Sequence, residues 1–261
     1  MKPLFFGSVE RHLYGIYHPP TQGGGSHAVL LCYPGVQEYN ATHWAFRRLA
    51  GMLGRAGCHV LRFDYFGTGD SSGELREGTP EIWMRDIRDA AQELLDLSGV
   101  RHLSLVGMRL GAALGTLASS EGLRMRKLIL WEPVVSGRAY VRELERRDAR
   151  RNLLLLHASR TRGRRDELLG HPFPTDVRFA TEQIELTRTR TPLADQTVIF
   201  AEELRPEHDA LRAAFEQAGV PTTVKRIAEP TLNAVQDRER ALLSSNALVD
   251  IVREFRELGT A

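Results

Sequence analysis

Leu103-Ser-Leu-Val-Gly-Met-Arg-Leu-Gly111, running on into Ala112-Ala-Leu-Gly-Thr-Leu-Ala-Ser-Ser120, sets the architecture of this chain. Leu103 to Val106 reads as a buried strand, and the glycines at 107 and 111 bracket a sharp turn. The small residues from Ala112 onward read as a helix that lies close to a sheet. Lys127-Leu-Ile-Leu-Trp131 then supplies another strand. Strand, turn, helix and strand in that order form the crossover unit of a parallel sheet.

The alternation continues on both sides. Upstream, Phe5 to Ser8 and Leu13 to Tyr17 read as opening strands, and residues 19 to 26, rich in Gly and Pro, as a turn. Ala28 to Tyr33 is a buried strand stopped by Pro34-Gly35, Trp44 to Arg55 a helix, and Cys58 to Phe63 a strand. A tight loop from Gly67 to Gly73 precedes a helix opened by Thr79-Pro80, a capping residue followed by a first-turn proline. Downstream come the strand Thr197 to Phe200, the helix Glu207 to Ala218, the strand Thr222 to Ile227 and a last helix from Asp237 to Leu258. The expected class is α/β, a mostly parallel central sheet with helices on both faces. Residues 136–192 break the rhythm and are expected to form a helical cap inserted into a core made of 1–135 and 193–261.

The composition narrows the functions. A chain of 261 residues, 42% hydrophobic and 26% charged, has enough apolar residues for one sizeable core. The formal charge of +2 gives no global field of the kind that nucleic-acid binding asks for. Lys2, Lys127 and Lys225 are the only lysines, so arginine carries the positive charge. It is concentrated from Arg146 to Arg165, where eight arginines face Asp148 alone. Such a cap is either a solvated helix face or a surface that steers an anion. Cys32 and Cys58 stand in no Cys/His cluster, which argues against structural zinc and a disulfide framework. Met1 to Gly7 holds too short an apolar run for a signal peptide, and no stretch has the roughly 20 apolar residues of a membrane span. A cytoplasmic protein without metal or cofactor is expected.

The order of elements, together with Arg62-Phe-Asp-Tyr-Phe-Gly-Thr-Gly-Asp-Ser71 and the turn at Gly107, resembles the α/β-hydrolase fold of the serine aminopeptidase type over nearly the whole chain. Leu4-Phe-Phe-Gly7, Pro34-Gly35 with Glu38-Tyr-Asn40, and Trp131-Glu-Pro-Val-Val-Ser-Gly137 are similar to hydrolase-like proteins associated with the exosortase A system and exopolysaccharide loci. The resemblance implies a G-x-S-x-G turn, in which glycines let a strained bend lift a serine above the sheet. Here that turn reads Gly107-Met108-Arg109-Leu110-Gly111, with a permanent cation at its apex. It also implies a histidine after the last strand, yet no histidine follows His208. In place of the acid, the chain offers Ala201-Glu-Glu-Leu-Arg205.

An arginine at a helix start opposes the helix dipole by 0.3 to roughly 1 kcal/mol and calls for an anionic partner. Glu38, Asp64 and Glu132 all belong to the carboxyl edge of the expected sheet; the alternative is a ligand carboxylate, phosphate or sulfate. By resemblance, the backbone N–H groups of Val36 and Leu110 supply oxyanion donors. Arg109 and Glu38 are therefore the candidate catalytic residues, anchor and base. Val36, Gln37, Met108, Leu110, Tyr39, His43 and Glu132 are the candidate binding residues. Cys32 reads as core, Ser136 has no histidine placed beside it, and His157 and His171 lack metal-ligand spacing. The leading expectation is a biosynthetic enzyme acting on an anionic acyl or carbonyl substrate, free or carrier-bound. A binding or scaffolding pseudo-hydrolase and a hydrolase with an atypical nucleophile are the alternatives.

Overall fold

The computed structural model describes residues 1–21, 25–155, 166–189, 192, 194–227 and 246–256. An eight-stranded sheet runs in the order β1-β2-β4-β3-β5-β6-β9-β10. β1 (Lys2–Gly7) and β2 (His12–His18) are antiparallel to each other, and β2 is antiparallel to β4 (Cys58–Phe63). From β4 through β3 (His27–Cys32), β5 (Leu103–Met108), β6 (Met125–Trp131), β9 (Ala194–Ala201) and β10 (Thr222–Arg226) every pairing is parallel. Helices α1 (Val36–Arg55), α2 (Pro80–Ser98), α3 (Leu110–Ser120), α6 (Pro206–Gln217) and α7 (Asn246–Arg256) cover it. α1 packs on α7 and α2 on α3, one pair for each face of the sheet.

The local causes are legible. Every residue of β3 and β5 is buried, as a central parallel strand requires. Thr79 caps α2 by accepting the Ile82 N–H at 3.3 Å, Pro80 opens the helix, and Gly99 ends it at φ 67°.

One boundary moves in a way that bears on function. α1 starts at Val36, not near Trp44, so Glu38 stands in a helical first turn and His43 lies within the helix. The reason is chemical: the inward positions of this first stretch are Glu38 and Thr42, polar residues that break the apolar periodicity. Thr42 satisfies its hydroxyl on the Glu38 carbonyl at 3.1 Å. The expected start of the last helix, from Asp237, falls outside the described residues.

Between β6 and β9 the chain makes an excursion through α4 (Gly137–Leu155), the hairpin β7 (Glu167–Leu168) and β8 (His171–Pro172), and α5 (Thr175–Glu182). Its two ends are pinned together: Gly137 N–H donates to the Ile184 carbonyl at 2.8 Å and Leu186 N–H to that of Val135 at 2.9 Å. Of the arginine run, Arg146, Arg147, Arg150 and Arg151 lie on α4, while Arg160, Arg162, Arg164 and Arg165 fall outside the described residues, as does His157.

α2 is fastened to the antiparallel edge by Asp86, which accepts the Phe66 N–H at 2.9 Å and pairs with Arg11. Burial nevertheless pushes its carboxyl up to about 6 from 3.8, beyond what the Phe66 N–H and Arg11 pull back. A carboxyl raised in the folded state binds its proton more tightly there, so stability falls as pH rises between those values. Replacing Asp86 by asparagine should flatten that slope, worth about 3 kcal/mol between pH 4 and 6. Denaturant unfolding of both proteins across the window checks it; parallel curves would show that Asp86 is not the titrating group.

Candidate functional site

The carboxyl ends of β3, β5 and β6 and the starts of α1, α3 and α4 converge on Arg109. Its backbone takes φ 51° and ψ −119°, a strained bend between β5 and α3. The glycines on either side are there because nothing larger fits. A Cβ on Gly107 would lie 2.6 Å from the Ala112 Cα, and one on Gly111 would lie 2.6 Å from the Cys32 carbonyl oxygen and closer still to that of Tyr33. The bend is held by the Arg109 N–H donating to the Trp131 carbonyl at 3.0 Å and by the Arg109 carbonyl accepting the Val134 N–H at 3.2 Å.

The Arg109 side chain is engaged at two of its nitrogens. Nε donates to Glu38 Oε1 at 3.3 Å, Nη2 to Glu143 Oε2 at 2.6 Å, and the guanidinium lies 5.3 Å from the centre of the Tyr140 ring. Glu38 is more fully occupied: its Oε1 also accepts from Arg147 Nη1 at 3.1 Å and its Oε2 from the Tyr140 hydroxyl at 3.1 Å. Arg147 and Glu143 close the ring at 3.4 Å. Burial pushes the Glu38 carboxyl up, but Arg109, then Arg147 and the hydrogen bonds from Arg147 and Tyr140 outweigh it and hold it below its ordinary value. Burial likewise opposes the Arg109 charge, and Glu38 and Glu143 raise its pKa despite that. Glu38 is 3% exposed and the Glu143 side chain 43%, so the solvent side of the cluster is carboxylate.

Beside it lies a cavity of about 10 Å³, room for one water, lined by Gly35, Val36, Tyr39, Tyr65, Trp83 and Leu110 among others. Val36 and Leu110 each open a helix, and among the described residues no acceptor takes their N–H groups. Tyr39 donates its hydroxyl to Asp64 at 2.7 Å, and His43 Nδ1 stands 3.2 Å from that hydroxyl. Among the described residues no three metal-ligating side chains cluster, and no helix is long and apolar enough to cross a membrane.

The strand order and the helical layers described above recur in solved structures. The ferulic acid-bound Est1E of Butyrivibrio proteoclasticus superposes with a TM-score of 0.69 at 15% identity, covering 98% of each chain. The fold is that of the α/β-hydrolases. Alpha/beta hydrolase domain-containing protein 10 from mouse aligns with a TM-score of 0.61 at 16% identity over 99% of this chain and 100% of that one. Proline iminopeptidase of Mycobacterium smegmatis does so at 0.61 and 11% over the same shares. No protein-family model and no curated protein matches the sequence.

Within this hydrolase fold the expected residues separate. Glu38, Arg109, Val36 and Leu110 come together, with Gln37 and Tyr39 on the same turns of α1 and Met108 buried at the end of β5. Asp64 is not the partner of Arg109; its carboxylate goes to Tyr39 and to the Asp70 N–H at 3.2 Å. Glu132 feels the Arg109 charge, but its carboxylate takes the Glu202 N–H across the end of β9. Cys32 is buried, which pushes its thiol up and leaves it inert. Ser136 bridges to Glu185 at the base of the excursion, and His171 stands half-buried on β8. A serine and a histidine do meet, His27 Nε2 and Ser104 Oγ at 2.7 Å, but at the amino ends of β3 and β5, the edge of the sheet opposite Arg109. Sequence reasoning missed Tyr140, Glu143 and Arg147, the three residues that complete the cluster. Their one signal is the spacing of 140, 143 and 147, which puts them on one face of a helix.

Proposed function

We propose that this chain keeps the hydrolase fold without a Ser-His-Asp relay and works by binding rather than by serine hydrolysis. The observation that carries the reading is the occupation of the apex of the bend by Arg109, which is paired to Glu38 on α1 and Glu143 on α4. A guanidinium cannot attack a carbonyl, and a carboxylate held below its ordinary pKa by two arginines is a poor base. The cluster serves as a latch between the core and the segment 136–192, which we take to be the cap. The resemblance to exosortase A system-associated proteins supports a cytoplasmic role in bacterial polysaccharide or specialised-metabolite biosynthesis.

A second reading has its own support. The N–H groups of Val36 and Leu110 are open beside a small cavity, and Glu143 is the exposed carboxylate of the ring. An anionic acyl or carbonyl ligand that displaced Glu143 would meet Arg109 and both donors. Incubation with a fluorophosphonate probe and with p-nitrophenyl acetate separates binding from hydrolysis. No labelling and no ester cleavage above the uncatalysed rate are expected, for the wild type and for Arg109→Ser, because no histidine follows His208 to activate a serine. Labelling of the wild type would overturn the proposal.

A further inference from the structure

The outer face of α4 carries Arg138, Arg142, Arg146 and Arg150, all exposed and each four residues after the last. At helical geometry these four, with Ala139, Ala149 and Leu153, share an arc of about 120°. The guanidinium stems follow one another at about 6 Å along about 18 Å of helix axis. The acids of the helix are engaged elsewhere: Glu143 with Arg109 and Arg147, Glu145, at the edge of this arc, with Arg178, and Asp148 with Asn152 and the Leu169 N–H. Among the described residues no carboxylate lies within 4.0 Å of any of the four arginines.

Two other helices treat their arginines differently. On α6 the half-buried Arg212 and on α7 the exposed Arg253 each pair with an aspartate three residues earlier, Asp209 and Asp250. A purely solvated face needs no alignment of like charges, and like charges at i,i+4 repel by a few tenths of a kcal/mol per pair, about 0.2 to 0.5. Three such repeats in a row leave α4 with a linear positive stripe that nothing described in its own chain neutralises.

We propose that this stripe is the docking face for an acidic helix of a partner protein that presents carboxylates at every fourth position. The proposal rests on the reading that the chain works by binding and names the partner. Glutamates spaced i,i+4,i+8 on a helix climb by the same step of about 6 Å and drift around it by the same angle, so a helix crossing α4 ridge against ridge sets its carboxylates against the guanidiniums at the crossing. Arginine's planar fork suits this bidentate pairing. Ala139 and Ala149 leave room between the arginines for the partner backbone, and Leu153, 67% exposed, offers an apolar anchor at one end. A lipid surface fits less well, because an interfacial helix inserts a row of apolar side chains and this face has Leu153 as its one large one.

The test uses the full-length protein and a fluorescein-labelled Ala- and Gln-rich helical peptide with Glu at every fourth position. An isomer with the same composition and scattered Glu is the comparison, both read by fluorescence anisotropy at low salt. The aligned peptide should bind about tenfold tighter than the isomer, and Arg142→Glu with Arg146→Glu should weaken it by about tenfold or more. A Lys-for-Glu version of the peptide should in turn prefer the double variant, whose unchanged thermal unfolding shows that it is folded. Equal binding of the two isomers, full affinity in the double variant, or tighter binding of phosphatidylglycerol vesicles or a polyuronate at equal charge would overturn the inference. Fluorophosphonate labelling, measured in parallel, bears on the binding reading alone and leaves the peptide ranking as it is.

Discussion

Arg109→Met should lower the unfolding free energy at neutral pH by about 3 kcal/mol or more, the cost of stripping a buried carboxylate of its main counter-charge. Glu38 is 3% exposed and accepts from Arg109, Arg147 and Tyr140; removing Arg109 leaves Arg147, 23% exposed, as its one cation. The pH dependence identifies the cause. In the wild type the Glu38 pKa is depressed, so its contribution is present above the unfolded value near 4.5 and is lost as pH falls through the folded one. In the variant Glu38 has less to hold its charge, so the deficit should be largest near neutrality and shrink in acid. Adding Glu38→Gln should recover much of the loss, because an uncharged amide needs no cation. Urea denaturation of the four proteins of this cycle is the measurement. A change below about 1 kcal/mol in Arg109→Met, the size of a surface pair, would show that Arg109 is no latch.

Gly111→Ala should cost about 3 kcal/mol or more and sharply reduce the folded yield. Its Cβ would meet the Tyr33 and Cys32 carbonyl oxygens, backbone atoms at the end of β3 that have no rotamer to change. The strand or α3 would have to retreat, and the bend that carries Arg109 with it. Gly99→Ala is the control. That residue ends α2 at φ 67° with nothing within 4 Å of its Cβ, so the change costs only the left-handed backbone penalty, roughly 1 kcal/mol. Equal unfolding midpoints for the two variants would show that close approach at Gly111 plays no part.

Much of this protein could be read along the chain because the signals are local. The runs at β3, β4, β5 and β6 are mostly apolar for the length of a strand. The glycines at 107 and 111 announce a tight bend, and Thr79-Pro80 opens a helix by capping chemistry that needs no distant partner. Arg109 at the apex and its need for an anion are equally local, following from one guanidinium and one helix dipole. The first turn of α1 was hidden because Glu38 and Thr42 hold its inward positions, and their reason for being there is a cation 71 residues away.

The sequence alone therefore established the layered α/β architecture, the strained bend and the charge that it carries, since each depends on neighbours within a few residues. It left three carboxylates as candidates for that charge and named none on the excursion. The choice of Glu38 over Asp64 and Glu132, and the arrival of Glu143, Tyr140 and Arg147, waited on folding. Those contacts span from 34 to 109 residues of chain, and which carboxylate comes within reach of a guanidinium is fixed by how α4 lies over the sheet edge, a packing outcome with no local signature.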